Sequence, residues 1–481
     1  MKSLDSLLAV IVICSDLLKL SLQLDCSAIP DNAQVANATV YIPNNSQVPV
    51  AISVNFNCSY TIKPPKSVYA QITVANGLAG INDSITVADG QQKITKINRF
   101  SPMNNVFYVF PQTITSVHVQ NFNASSKFQI TVVYKSLPDP VYSGLETGQS
   151  LSHYTLNTVQ EKPITFISSS SITLILARSG YVNDVFDNYF LIDGDWNNPI
   201  SIQRLADFQT ANFQSTGNSL SIVGLDTKLS HSSFILIPSL ELNGFSKISG
   251  VTVDGTLPNV HVTASNGRKV GVILVAKDAQ NLVLHKMITG EESSCKVSAV
   301  TGPPNSNSKM LMDFKTDQFT LPQLFPYPYF SIVVENCEVY FNATTYLPAN
   351  YYEMDGDRSG FVFSPIFFNY EATNGYTNIT FKYSGNLTSQ FTVDVDQLEL
   401  ALSNSQLDID ILDKDLKKTL STVMTGNQKG VTSRAYGSYL NIRMNGYVSA
   451  KLHWTLTSFS ESYLKLHVII FIFMAALISR R

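Results

Sequence analysis

Charged side chains are scarce in this chain. Asp, Glu, Lys and Arg make up 14% of it, against about 25% in a typical soluble protein. The net charge is only −3, and no Lys/Arg stripe occurs, so nothing supports nucleic-acid binding. Cysteine is sparse too: none of the five stands in a Cys-x-x-Cys pair. No histidine lies close enough to complete a ligand set, which speaks against structural zinc. There is no Gly-x-Ser-x-Gly elbow, no His-Glu-x-x-His and no phosphate-binding glycine loop. The seven histidines (His118, His153, His231, His261, His285, His453 and His467) are scattered, none beside a candidate nucleophile. No catalytic residue and no cofactor is therefore expected, and the chain is read as a non-enzyme. No apolar run reaches the roughly 20 residues of a spanning helix.

The two ends do carry apolar runs. Lys2 followed by Leu7 to Cys14 has the layout of a secretory signal, read as residues 1–25. At the other end Val468 to Ile478 follows a polar spacer, with small residues Ser458 and Ser460 before it. That order fits a lipid-anchor signal with Ser458 or Ser460 as the attachment site. The terminal Ser479-Arg480-Arg481 would instead suit the stop of a short spanning helix. Either way the tail, 459–481, is expected to meet a membrane from the extracellular side.

Past the signal four cysteines remain, in two sequence-local pairs. Local pairing, Cys26 with Cys58 and Cys295 with Cys337, is the simplest of three connectivities. Eight Asn-x-Ser/Thr sequons occur, at Asn37, Asn44, Asn57, Asn82, Asn123, Asn342, Asn378 and Asn386. In a secreted chain such sites want exposed backbone. Their placement implies a glycan-clothed beginning and end and a more shielded middle.

Between the ends apolar residues alternate with period two, as in Val68, Ala70, Ile72, Val74 and in Phe128, Ile130, Val132, Tyr134. Such alternation, with turn signals every ten residues or so, means half-buried strands of a sandwich. Linkers show at Pro138–Ser150, at Thr301–Ser308 and in the Pro/aromatic stretch Leu321–Tyr329. One helix is expected, Asp413 to Met424, with Leu416, Leu420 and Met424 on one face. A motif also repeats. Asp83-Ser-Ile-Thr-Val-Ala-Asp89-Gly90 returns 104 residues later as Asp187-Asn-Tyr-Phe-Leu-Ile-Asp193-Gly194. Ile97-Asn98-Arg99-Phe100 is echoed by Ile202-Gln203-Arg204-Leu205, and Ser125-Ser126 by Ser232-Ser233. A period near 105 is one β-sandwich, not a solenoid unit.

The Asp-x5-Asp-Gly hairpin resembles that of CUB domains. Cys26, Asn37-Ala-Thr-Val-Tyr41-Ile-Pro43, Asn57-Cys58-Ser59-Tyr60, the hairpin and a final Phe-x-Ile-x-Val-x-Tyr strand together resemble the CUB-like domain family of secreted nematode proteins. The resemblance implies an all-β chain of tandem antiparallel CUB-like β-sandwiches of jelly-roll type. The expected modules are 26–137, a degenerate repeat at 145–240, a β-rich segment with a disulfide at 245–338, and a β-rich, divergent segment at 339–458. Members of that family are commonly linked to defence against microbes, which the resemblance brings as an expectation only.

Many CUB domains hold Ca²⁺ with an upstream Glu and the hairpin Asp, hard oxygen ligands suited to calcium. Asp83 and Asp187 match the hairpin position, but the first module contains no Glu at all, so both are weaker as metal ligands than as turn or cap residues. Asp89 and Asp193 are read as formers of type I′ Asp-Gly turns. Asp83 and Asp89 stand about 20 Å apart along a strand, too far for a glycosidase couple. The acidic run Asp408, Asp410, Asp413, Asp415 lacks the glycine and terminal Glu of an EF-hand and reads as a solvated face or helix start. The aromatics Phe325 to Phe330 and Tyr351-Tyr352 fit a binding surface and inter-module packing equally. The expected function is binding of an extracellular protein or glycan ligand. A structural or adhesive coat component is the alternative, and a hydrolase on a β-scaffold a distant third.

Overall fold

A computed structural model of the chain describes residues 26–459 except 27–28, 44, 146–150, 182–183, 227, 256–258, 291–293 and 370–375. The expected signal, the tail with Ser460, and Asn44 lie outside the described residues. The fold is all-β, as the alternation requires. Phe128, Ile130, Val132 and Tyr134 are fully buried on one face of strand Lys127–Ser136 and pack on Ile72, Val74, Val117 and Val119.

Eight principal strands make the first sandwich, Thr39–Ile42, Asn57–Ile62, Val68–Gly77, Ser84–Ala88, Ile94–Ile97, Asn104–Val109, Thr115–Gln120 and Lys127–Ser136, and the two-residue strand Val50–Ala51 pairs with the last of them. One sheet runs first, eighth, third, sixth; the other runs second, seventh, fourth, fifth. This is the jelly-roll order. The second sandwich repeats it with Ser152–Thr155, Ile164–Ile167, Ile172–Arg178, Tyr189–Asp195, Asn198–Arg204, Phe213–Gln214, Ser219–Gly224 and Ser233–Pro238. So does the third, with Val260–Thr263, Lys269–Ala276, Leu282–Thr289, Lys296–Thr301, Met310–Asp313, Gln323–Phe325, Tyr329–Glu335 and Glu338–Thr344. The fourth follows the same order with Arg358–Phe363, Thr377–Tyr383, Thr388–Leu400, Gln406–Leu412, Lys418–Met424, Val431–Tyr436, Tyr439–Asn445 and Val448–Phe459. The second strands begin at Asn57, Ile164, Lys269 and Thr377, steps of 107, 105 and 108 residues. The period glimpsed in two modules therefore runs through all four.

The chain leading into each later module becomes an extra strand parallel to that module's second strand: Val141–Gly144, Lys247–Val253 and Glu353–Met354. This covers an edge that would otherwise expose unpaired backbone groups. In the first module the Cys26–Cys58 bridge ties the lead-in chain to the second strand instead. Lys247–Val253 also pairs with Ile172–Arg178, so one nine-stranded sheet crosses from the second module to the third. The strand Glu338–Thr344 pairs within the third sandwich, which therefore continues past the 338/339 boundary drawn from sequence.

The expected helix at Asp413 to Met424 is not formed. Asp413 Oδ1 accepts from the amides of Asp415 and Lys417, making a turn with Leu416 at positive φ, and Lys418–Met424 is a strand paired with Gln406–Leu412. Leu420 and Met424 suit a period of two as well as one of four, and the Asx turn decides.

Candidate functional site

The connections between third and fourth strands and between seventh and eighth strands meet at one end of each sandwich. Every module clamps them, the first two by an aspartate carboxylate and the other two each by a different device. In the first, Asp83 is 1% exposed. Its carboxylate accepts from the amides of Gly80 and Phe122 and from the Ser126 hydroxyl. In the second, Asp184 accepts from the His231 amide and from the hydroxyls of Ser179 and Ser232. In the third, the Cys295–Cys337 disulfide joins the same two connections. In the fourth, Ser405 Oγ accepts from the Tyr447 amide at 2.8 Å. The structural partner of Asp83 is therefore Asp184, not the motif-aligned Asp187. Ser126 and Ser232, which supply the hydroxyls, do follow the sequence echo to within one position.

Asp187 instead faces the first module. It pairs with Lys93 at 2.6 Å while its carbonyl accepts from Arg204. Arg204 reaches across the same seam to Asp89, at 2.6 Å, with both side chains under a tenth exposed. Tyr108 and Lys135 of the first module meet Asp226 of the second, and Tyr69 donates to Glu161. Burial, reinforced by Glu161, pushes the Tyr69 phenol well above its ordinary pKa, so it stays a donor. Beneath these contacts Tyr69, Phe110 and Leu137 pack on Phe190, Ile192, Trp196, Val223 and Leu225. The repeated hairpins thus build the joint between the first two modules.

Neither Asp-Gly pair is a type I′ turn. Asp89 accepts from the amides of Gln91 and Lys93, and Gln92 takes the positive φ. Gly90 is required by space: a Cβ there would lie 2.7 Å from the Thr113 Cβ. Asp193-Gly194 sits in a strand where the register shifts, a β-bulge with Gly194 at φ 101°. Asp193 accepts from the amide and hydroxyl of Thr216.

As for metal, the carboxylates of Asp83, Asp184 and Asp187 all have protein donors. No group of three or more His, Cys, Asp or Glu fit to hold an ion occurs among the described residues. Burial opposes charge on Asp83. Hydrogen bonds from Ser126, Phe122, Gly80 and Asn123 outweigh it and hold the carboxyl below the usual aspartate range. Burial opposes charge on Asp184 as well, and Ser232, His231 and Ser179 likewise lower it. The folded values lie below the unfolded one, near 3.9. Each clamp therefore stabilises the fold above that pH and loses its contribution as pH falls through the folded pKa. The thermal midpoint of the protein is expected to fall below about pH 4. Asp83→Asn should lower it at pH 7 and flatten that acid limb, as calorimetry across pH 3 to 7 would record.

The structure places other sequence candidates plainly. Asp410 is buried and paired with Lys418 and Arg443, with Asp408 also on Arg443, so the acidic run is partly internal. Phe325 stacks on Phe330 at 4.2 Å and Tyr327 on Phe368, and Tyr351 is buried. The aromatic stretch is packing between third and fourth modules. Burial pushes the Tyr351 phenol up to about 12. Ser59 Oγ lies 2.9 Å from His118 Nδ1 across neighbouring strands, an exposed pair that only register could reveal. His231 contacts Asp254, which Lys277 also holds, at the joint of second and third modules.

Of the sequons, Asn37, Asn57, Asn82, Asn123, Asn378 and Asn386 are exposed, whereas Asn342 is half-buried mid-strand with its Oδ1 enclosed. Ser458 lies in the last strand, its amide and hydroxyl both donating to Asp357.

No curated protein matches the chain. Among solved structures, the CUB1-EGF-CUB2 domains of rat MASP-1 align at 8% identity over 44% of this chain and all of that one, with a TM-score of 0.19. The triple jelly-roll turret protein of an archaeal virus aligns at 7% identity over 86% of this chain and 84% of that one, with a TM-score of 0.16. Residues 21–138, which span the first module, match the CUB-like domain family.

Proposed function

We propose that this chain is a non-enzymatic binding glycoprotein of the extracellular space, held at a cell surface through its C-terminal tail. The observation that carries this is the pair of disulfides, each closed within one module, because such bridges persist in oxidising compartments. The CUB-like match and the six exposed sequons support the same compartment. Among the described residues, which do not include the tail, no helix is long and apolar enough to cross a membrane; the order of small residues, polar spacer and apolar run at the C-terminus is what favours a lipid anchor. Binding is favoured over catalysis because the Asp carboxylates at the loop ends and first joint already hold the fold together. A role in defence against microbes is the narrower form of this proposal, tested by transcript induction on bacterial exposure.

Full-length protein expressed in a secretory host tests it. The expected result is surface protein released by phosphatidylinositol-specific phospholipase and shifted in mass by N-glycosidase. Cytosolic protein with reduced cysteines would overturn the reading. Asn342→Gln is expected to leave the glycosylated mass unchanged, whereas Asn82→Gln or Asn123→Gln removes one glycan each, read by mass spectrometry of the intact ectodomain.

A further inference from the structure

We propose that the groove along the first inter-module joint binds an acidic oligosaccharide; this rests on the binding function above. Two adjoining cavities share Lys66 and Gln112. One, of about 530 Å³, is lined by Asp31, Gln34, Lys63, Pro64, Pro65, Lys66 and Gln112. The other, of about 160 Å³, has an apolar floor of Trp196, Phe110, Pro111, Pro199 and Ile202 with Ser67 and Thr113 at its rim. Together they reach the size of ordinary ligand sites, which favour domain interfaces.

The groove is charged at one end and apolar at the other. The Lys63 and Lys66 side chains are exposed, and neither ammonium has an ion-pair partner among the described residues, with Asp31 the one carboxylate lining their cavity. That leaves a net positive end for sulfate or carboxylate groups. At the other end the exposed Pro199 and the half-buried Ile202, with the edge of the largely buried Trp196 indole between them and the core, suit the apolar C–H faces of sugar rings, and amide and hydroxyl groups beside them suit sugar hydroxyls.

The cationic loop is also fixed before any ligand arrives. Lys63 N donates to Gln34 Oε1 at 2.9 Å, and buried Gln34 is itself held by the Ile29 carbonyl. Gln112 N donates to Pro64 O and Leu137 N to Ser67 O. Two prolines stiffen the loop between the lysines. The opposite wall, carrying Trp196, is held by the Asp89–Arg204 pair and by Phe110, whose ring lies 5.2 Å from the indole. A preorganised site loses little entropy on binding.

Trp196, 9% exposed and lining the cavity, is one of only two tryptophans, the other, Trp454, being 1% exposed in the fourth module. Titrating the glycosylated ectodomain with a sulfated hexasaccharide, a uronic-acid hexasaccharide and a neutral glucose hexasaccharide, while following tryptophan emission, tests the proposal. The expected result is a saturable change with one or both acidic sugars and none with the neutral one. A Lys63→Ala/Lys66→Ala variant of unchanged thermal midpoint should weaken binding at least tenfold. No change with either acidic sugar, equal binding of the neutral one, or unaltered affinity in the lysine variant would each overturn it. A protein that is at the cell surface yet binds none of these sugars would refute the groove alone and leave the extracellular reading standing.

Discussion

Replacing Arg204 by alanine is expected to destabilise the joint of the first two modules by about 3 to 5 kcal/mol, because removing one partner of a buried ion pair strands the other. The Asp89 and Arg204 side chains are each less than a tenth exposed, so losing the guanidinium leaves the carboxylate poorly solvated. Arg204 does more than neutralise Asp89: it donates to the Asp187 carbonyl and lies over the Phe190 ring at 4.8 Å. Arg204→Lys keeps the charge but not the fork and should recover only part of the loss. Asp89→Asn keeps an oxygen for the Gln91 and Lys93 amides, so combining it with Arg204→Met should cost less than Arg204→Ala alone. Denaturant unfolding and the rate of proteolytic cutting between 137 and 145 would report these differences. Equal stability of Arg204→Ala and wild type would contradict the joint.

Breaking either disulfide is expected to cost about 2 to 5 kcal/mol. The bridges span 32 and 42 residues of sequence, loops whose closure restricts the unfolded chain by roughly 3 to 4 kcal/mol. Their local roles differ. Cys58 lies in the second strand of the first module, where the bridge stands in for the parallel edge strand of the other modules. Cys58→Ser should therefore bring aggregation as well as a lower midpoint, since an uncovered edge invites pairing with another chain. Cys295→Ser opens the loop clamp of the third module and should lower stability without that association. Calorimetry and light scattering separate the two outcomes.

How much of this was legible in the sequence depends on what carries the signal. The strands were readable because period-two alternation is local, as Phe128 to Tyr134 shows. The first two sandwiches were readable because their hairpins share residues. The equivalence of the third and fourth was not, because it resides in strand order, which many apolar sequences satisfy. The clamp at Asp83 was hidden because its donors Phe122 and Ser126 lie 39 and 43 residues away. Its counterpart was misaligned because the second module's loop places the acid three positions earlier, at Asp184, leaving Asp187 free for the joint. The Asp413 to Met424 stretch misled for a simpler reason: its apolar spacing fits two periods, and a side-chain hydrogen bond chose between them.

Four sandwiches of one strand order, two of them bridged internally by a disulfide, is the claim on which the rest stands. Peptide mapping, without reduction, of the protein made in a secretory host tests it most directly. Linked peptides joining Cys26 to Cys58 and Cys295 to Cys337, and no others, are the predicted result; free thiols at these positions, or a bridge between the first and third modules, would contradict it.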